Sequence, residues 1–161
     1  MTSEGPFTSS VLARLQELGL SLPQPAPPAG MYEAFRLHRG VGFLASQFPS
    51  RDGAYVLQGR LGAELSVEQG REAARLAALT VLARIRQALG GFDRLTGLLR
   101  VDGTVAAVES FSAEAEVLDG ASETFLRVLG ERGKHVRTAV TVSRLVKGNS
   151  VKLVATFGYE E

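Results

Sequence analysis

Residues 66–91 read "SVEQGREAARLAALTVLARIRQALGG", and the fold turns on what this stretch forms. Ser66 and Gln69 have the spacing of a capping box, in which each side chain takes a backbone N–H of the other. Gly90-Gly91 fits a helix stop, because glycine accepts the left-handed conformation that ends many helices. Between these signals Ala74, Ala77, Ala78, Val81, Ile85 and Leu89 recur at spacings of three and four, with Arg71, Arg75 and Arg86 mostly elsewhere. That pattern predicts a long amphipathic helix, and its alanine content suits close packing on a sheet.

The flanks supply the sheet. Upstream, "MYEAFRLHRGVGFLASQFP" (31–49) reads as a hairpin: Tyr32, Ala34, Phe35 and Leu37 precede a turn at Arg39-Gly40, and "VGFLASQF" is a nearly continuous apolar run. "AYVLQGRLG" (54–62) adds a short third strand. Downstream, "RLTGLLRVDGTVAAV" (94–108) is β-prone, and "SFSAEAEVLDGASETFLRVLG" (110–130) reads as a second amphipathic helix despite its internal Gly120. "GKHVRTAVTVSRLVKGNSVKL" (133–153) alternates on either side of Gly148-Asn149, which predicts a closing hairpin continued as "VKLVATF" (151–157).

The order strand, strand, short strand, helix, strand, helix, strand, strand predicts an α+β domain with both long helices on one face of a mixed sheet. "GFLASQF" and "RTAVTVSRL" carry apolar or small residues on both sides of their strands, so the second face also needs a cover. Two helices cannot supply it, and a symmetric oligomer can. Ahead of this domain, "TSSVLARLQELGL" (8–20) predicts a short helix capped by Ser9 or Ser10 and stopped at Gly19. "SLPQPAPPAG" (21–30) holds four of the six prolines and predicts an extended connector. The expected division is 1–29, helix and connector, and 30–161, the main domain.

Composition narrows the function. Over 161 residues, 18 Lys and Arg against 17 Asp and Glu leave a net charge of +1, so no bulk field favours nucleic acid or membrane. The absence of cysteine removes disulfides, thiolate metal sites and a thiol nucleophile, and two histidines cannot make an all-histidine metal site. Metal chemistry is not expected. No apolar run reaches the ~18 residues of a membrane span, and no leader pattern opens the chain, so the cytosol is the expected address. "GVGF" (40–43) lacks the third glycine and downstream acid of a dinucleotide fingerprint and reads as a turn. Lys134, His135, Arg137, Arg144 and Lys147 form a basic stretch without interleaved aromatics, which disfavours RNA; His135 reads as surface charge.

"LSVEQGREAARLAALT" (65–80), "DGASETFLRVLGERGKHVRTAV" (119–140) and "FLASQFP" (43–49) resemble the RidA (YjgF, endoribonuclease L-PSP) family, in particular its subgroup with an N-terminal helix and proline-rich connector. The resemblance runs from about Val11 to Phe157. It implies a chorismate-mutase-like fold, a homotrimer with inward-facing sheets, and ligand clefts between subunits. Active members hydrolyse enamines or imines such as 2-aminoacrylate to 2-keto acids and ammonia, and the resemblance implies that no metal or organic cofactor takes part.

By that resemblance Arg137, in "HVRTA", matches the arginine that grips the substrate carboxylate, a role suited to its planar, permanently charged fork. Tyr32 matches an aromatic cleft residue, Gln47 and Ser46 the glutamine and glycine of the family's "SGQ", and Asp119 an asparagine of the second helix. The departures bear on catalysis: Ala45 replaces a serine, Ala139 a cysteine, and Val154 the glutamate that positions the attacking water. Glu33, Glu109 and Asp119 are the carboxylates in cleft-forming segments that could replace it. Two readings stand: an imine deaminase acting on a small carboxylate metabolite, or a binding module that keeps the anion hook and has lost the reaction.

Overall fold

The computed structural model describes residues 4–161; residues 1–3 of the N-terminal segment lie outside the described residues. In chain order the elements are α1 Pro6–Glu17, β1 Phe35–His38, β2 Val41–Leu44, β3 Ser50–Arg51, β4 Ala54–Tyr55, α2 Val67–Leu89, β5 Leu95–Ala106, α3 Glu114–Leu129, β6 Val136–Val142 and β7 Val151–Tyr159, with short 3-10 turns before β6 and β7. The fold is α+β, with a mixed five-stranded sheet ordered β1-β2-β7-β5-β6. Only β5 and β6 run parallel. The strand expected over 54–62 contributes only Ala54–Tyr55, which pairs with Ser50–Arg51 as a separate two-stranded hairpin.

The helix at 66–91 forms as its signals require. The Ser66 hydroxyl accepts from the Gln69 N–H, the Gln69 side chain accepts from the Ser66 N–H, and Gly90 closes the helix at φ 72°. Every residue from Leu76 to Ile85 is buried, because α2 packs against both the sheet and the neighbouring α3. On its sheet side, Val151, Leu153, Ala155 and Phe157 of β7 alternate into the core. Fully burying a side chain such as Phe157 contributes roughly 1.5–3 kcal/mol.

The expected closing hairpin does not exist. β6 and β7 lie on opposite sides of β5: Val101 is the register partner of both Arg137 and Ala155. β6 reaches its parallel position through α3, and a parallel pair needs a crossover of that length. Residues 143–150 then carry the chain past the end of β5, where Ala106 N–H donates to Ser150 O at 2.8 Å and Ala107 N–H to Val142 O at 2.9 Å. Asn149 and Ser150 are fully buried there. Gly148-Asn149 therefore belongs to a sheet-crossing connection and not to a two-strand turn.

At the other edge the expected hairpin forms, but its first strand begins at Phe35 and leaves Tyr32 and Ala34 outside it. Arg39 and Gly40 turn the chain at φ 48° and 79°. Gly42 lies beyond the turn in β2, where a Cβ would come 2.1 Å from the ring of Phe157, its partner across the strands. Phe43 points the other way and is half-exposed at 50%. With Val136 at 65%, Val140 at 51% and half-buried Val154, it marks the sheet face that no helix of this chain covers.

α1 is capped differently from expectation. It starts at Pro6 with Gly5 before it, so Ser9 and Ser10 lie inside the helix. The capping group is Asp93, brought from the loop after α2, whose Oδ1 accepts from Phe7 N–H at 2.9 Å and whose Oδ2 accepts from the Thr8 hydroxyl. A Cβ on Gly5 would fall 2.4 Å from that carboxylate, so a side chain there would push the cap aside. Val11 and Leu15 are buried in the same core cluster as α3. The Thr8 hydrogen bond, with those of the α1 backbone, holds the Asp93 carboxyl below the usual aspartate range against a smaller opposing effect of burial.

A depressed native value means that this stabilisation is present above about pH 4 and is lost as pH falls through the lower folded value. Asp93→Asn is therefore expected to lower the urea midpoint at neutral pH. The gap to wild type should close under acid conditions that protonate Asp93. An undiminished gap in acid would overturn this assignment.

Candidate functional site

The residues singled out from the sequence separate into two groups. Arg137 lies on β6, the edge strand, and alternation turns it toward α3. Its Nη1 donates to Asp119 Oδ1 and Ser122 Oγ, both at 2.9 Å, and its Nη2 to Ala115 O at 3.3 Å. Ser122 Oγ is 2.9 Å from His135 Nε2, and His135 Nδ1 is 2.7 Å from Gly133 O. A carbonyl can only accept, so neutral His135 carries its proton on Nδ1 and accepts from Ser122. His135 is thus half-buried behind Arg137, its ring edge-on to Phe125 at 5.6 Å, and is not the surface charge expected. It orients the serine that orients the arginine.

The Arg137 to Asp119 pair is partly open to solvent, with side-chain exposures of 21% and 59%. Such pairs contribute about 0–1 kcal/mol. A ligand carboxylate can therefore displace Asp119 at little cost, while Ser122 and Ala115 keep the guanidinium in place.

The second group lies at the other end of the sheet. Tyr32, Ser46 and Gln47 line a cavity of about 350 Å³ between the proline connector, the segment after β2, and α2. The Tyr32 hydroxyl accepts from Ala29 N–H at 3.2 Å. Gln47 is buried; its backbone exchanges two hydrogen bonds with Leu153, at 2.8 and 2.9 Å, and its Nε2 donates to Ala45 O at 2.9 Å. It therefore anchors the segment as well as lining the cavity.

Strands are spaced about 4.8 Å apart, so Gln47, paired with Leu153 of β7, is separated from β6 by β7 and β5, roughly 14 Å across the sheet. Neither Arg137 nor Asp119 is among the residues that line the cavity of Tyr32, Ser46 and Gln47.

Two further groups escape a sequence reading. Asp102 of β5 is the register partner of Val154 and faces the uncovered side of the sheet with it. It accepts from the Thr138 hydroxyl at 2.5 Å and from Arg100 Nε at 2.8 Å. The Thr138 hydrogen bond, and then Arg100, hold its carboxyl below the usual range, against burial. Arg84, on α2, is 7% exposed and lines the Tyr32 cavity. Its signal was available, since position 84 falls at i+3 and i+7 from Val81 and Ala77 on the buried stripe. Of the other candidate carboxylates, Glu33 and Glu109 are exposed and Asp119 is engaged by Arg137. Among the described residues no group of three or more His, Asp or Glu could hold a metal ion, and no helix is long and apolar enough to cross a membrane.

Residues 12–159 match the family model described as "YjgF/chorismate_mutase-like, putative endoribonuclease". The chain belongs to the YjgF family. The resemblance read from residues 43–49, 65–80 and 119–140 is borne out, and with it the chorismate-mutase-like α+β fold. Protein TCP17 of Trypanosoma cruzi is 37% identical over 146 residues, covering 90% of this chain and 91% of that protein. Two solved structures superpose closely. The Agrobacterium tumefaciens protein Atu1372 has a TM-score of 0.90 at 30% identity, covering 96% of this chain and 95% of its own. A "putative endoribonuclease" of Shewanella oneidensis has a TM-score of 0.90 at 31% identity, covering 92% of this chain and 99% of its own.

Proposed function

We propose that this YjgF-family chain acts as a homotrimer that binds a small carboxylate-bearing metabolite between subunits and hydrolyses an enamine or imine of the 2-aminoacrylate type to a 2-keto acid and ammonia. The observation that carries this reading is that Arg137 and Asp119 stand outside the cavity lined by Tyr32, Ser46 and Gln47, in a chain whose sheet leaves its second face uncovered. A neighbouring copy packed on Phe43, Val136 and Val140 buries that face and brings one chain's Arg137 toward the next chain's Tyr32, Ser46 and Gln47. In that cleft Arg137 exchanges Asp119 for the ligand carboxylate, a charge-assisted fork worth more than the exposed pair it replaces. An enamine first takes a proton at its methylene carbon to become the iminium; water then adds to the C=N carbon, a proton passes from the added oxygen to nitrogen, and the tetrahedral adduct expels ammonia as its C=O forms. These steps need a placed water and proton transfers, and no redox partner.

A second reading rests on Val154. An isopropyl group can neither accept a proton nor orient water, and losing such a group costs about 10²–10⁴ in rate. The chain is then a binding module with the same hook. Keto acid released from 2-aminoacrylate, generated in situ by a dehydratase, separates the two. Wild type is expected to exceed the spontaneous rate, and Arg137→Ala to lose about 10- to 100-fold in kcat/KM, the scale of a charge-assisted hydrogen bond. A wild-type rate at background would leave the binding module. A monomer mass in light scattering at micromolar concentration would defeat the shared cleft altogether.

A further inference from the structure

α2 carries a cation that the reading above does not use. Arg84 is 7% exposed, and no carboxylate pairs with it among the described residues. Its Nη1 donates to Gln87 Oε1 at 2.7 Å and its Nη2 to Ala26 O at 2.5 Å, both neutral acceptors, while its Nε is buried with no hydrogen-bond partner. Burying a charge without a counter-charge is among the most expensive things a fold can do. Here that burial pulls the arginine below its usual value, with Tyr32 opposing the shift. Such a group is retained where an anion completes it.

The surroundings fit an anion brought from outside. The cavity that Arg84 lines, about 350 Å³, has no acidic side chain in its walls. That volume is at the small end of ligand sites and suits one small molecule. Prolines and alanines of the connector line the cavity, as do Phe48 and Tyr55, whose rings meet edge-on at 5.7 Å. Hydroxyl groups of Thr80 and Tyr32 also line it. Glu33 shares a separate depression with Arg84 and makes no ion pair with it.

We propose that this cavity is an anion site complete within one chain, in which Arg84 receives the carboxylate of a small acid with a planar apolar body that lies between the connector and the Phe48–Tyr55 pair. It adjoins the proposed intersubunit cleft through Tyr32, Ser46 and Gln47 but uses a different arginine. The connector is a wall of the site through Ala26 O and its prolines. The ligand therefore ties the N-terminal segment to α2.

Phenylacetate, with phenylacetamide as its neutral counterpart, is a suitable probe. Phenylacetate at millimolar concentration is expected to raise the melting temperature of wild type and of Arg137→Ala, and phenylacetamide to raise neither. Arg84→Met should weaken phenylacetate at least about tenfold, the scale of one charge-assisted hydrogen bond. Its own melting temperature should equal or exceed that of wild type, because an uncompensated buried charge has been removed. Amide chemical shifts in wild type provide a readout that does not depend on any variant: phenylacetate should move Gln47, Thr80 and Ala83 and leave Ser122 in place. Undiminished affinity in Arg84→Met, loss of binding in Arg137→Ala, or shifts confined to Asp119 and Ser122 would each overturn the proposal. The last two would place the acid in the Arg137 cleft instead.

Discussion

Gly120→Val is expected to abolish folding, and Gly120→Ala to cost about 3 kcal/mol or more, at or beyond the upper end of the overpacking range. In an exposed helix the alanine change would go the other way, stabilising by about 1 kcal/mol through lower backbone entropy. What reverses the sign is the α2–α3 crossing. A Cβ at 120 would lie 2.2 Å from Arg71 O, 2.9 Å from its carbonyl carbon and 3.0 Å from its Cα. All three are backbone atoms of a helix buried along most of its length, so no rotamer change relieves the clash. The helices must separate, and the same seam carries the Arg71 guanidinium, which donates to Glu116 O at 2.9 Å and pairs with Glu123 at 3.2 Å. Urea midpoints of the alanine variant and the soluble yield of the valine variant would measure this. A midpoint for Gly120→Ala at or above wild type would show that the helices do not cross here.

That glycine marks the boundary of what the sequence made legible. The i, i+3, i+4 periodicity of residues 110–130 identifies a helix and treats Gly120 as a blemish, since periodicity reports which face is buried and not how near the partner backbone comes. The same limit explains the error at 133–153. Alternation identifies β6 and β7 as strands, but a period of two is blind to the partner. Sequence proximity favoured pairing them, whereas β5, twelve residues long and interior to the sheet, takes one on each side. Capping signals in α2 were decisive because they are local: Ser66, Gln69 and Gly90 act within four residues of their partners. Asp93 capping α1 is the opposite case, a helix cap separated by more than eighty residues from the N–H groups it satisfies.

For the site, the residues of Arg137's motif were legible but their neighbours were not. Ser122 and His135 buttress the guanidinium from a helix and a turn that only the fold brings together. Asp102 faces Val154 because of sheet register, which a one-residue slip would reverse. The resemblance implies a carboxylate where Val154 stands, and the fold places Asp102 one strand away from it.

That juxtaposition sets the second large effect. If the family's hydrolysis survives weakly here, Val154→Glu is expected to raise keto acid release by about 10² or more, the contribution of a positioned acid-base group. Asp102 is a poor substitute, because Thr138 and Arg100 both donate to its Oδ1 and hold its proton affinity low. A glutamate at 154 would be longer and would lie directly across the strands from Asp102, where Cβ atoms are about 4.5–5.5 Å apart. The like charge raises its pKa toward working pH, which suits a base that must take a proton and give it back.

The same repulsion should cost up to about 1 kcal/mol of stability. For a carboxyl whose folded pKa is raised, that cost is full above the folded value and vanishes below the unfolded one. Activity and urea stability of Val154→Glu should therefore move in opposite directions as pH rises. Adding Asp102→Asn removes the repulsion, restores stability at neutral pH and shifts the acid limb of the pH–rate profile to lower pH. A rate for Val154→Glu equal to wild type across that range would mean that position 154 does not face the reacting carbon in the assembled cleft, and that the carboxylate lost from β7 is not what limits this protein.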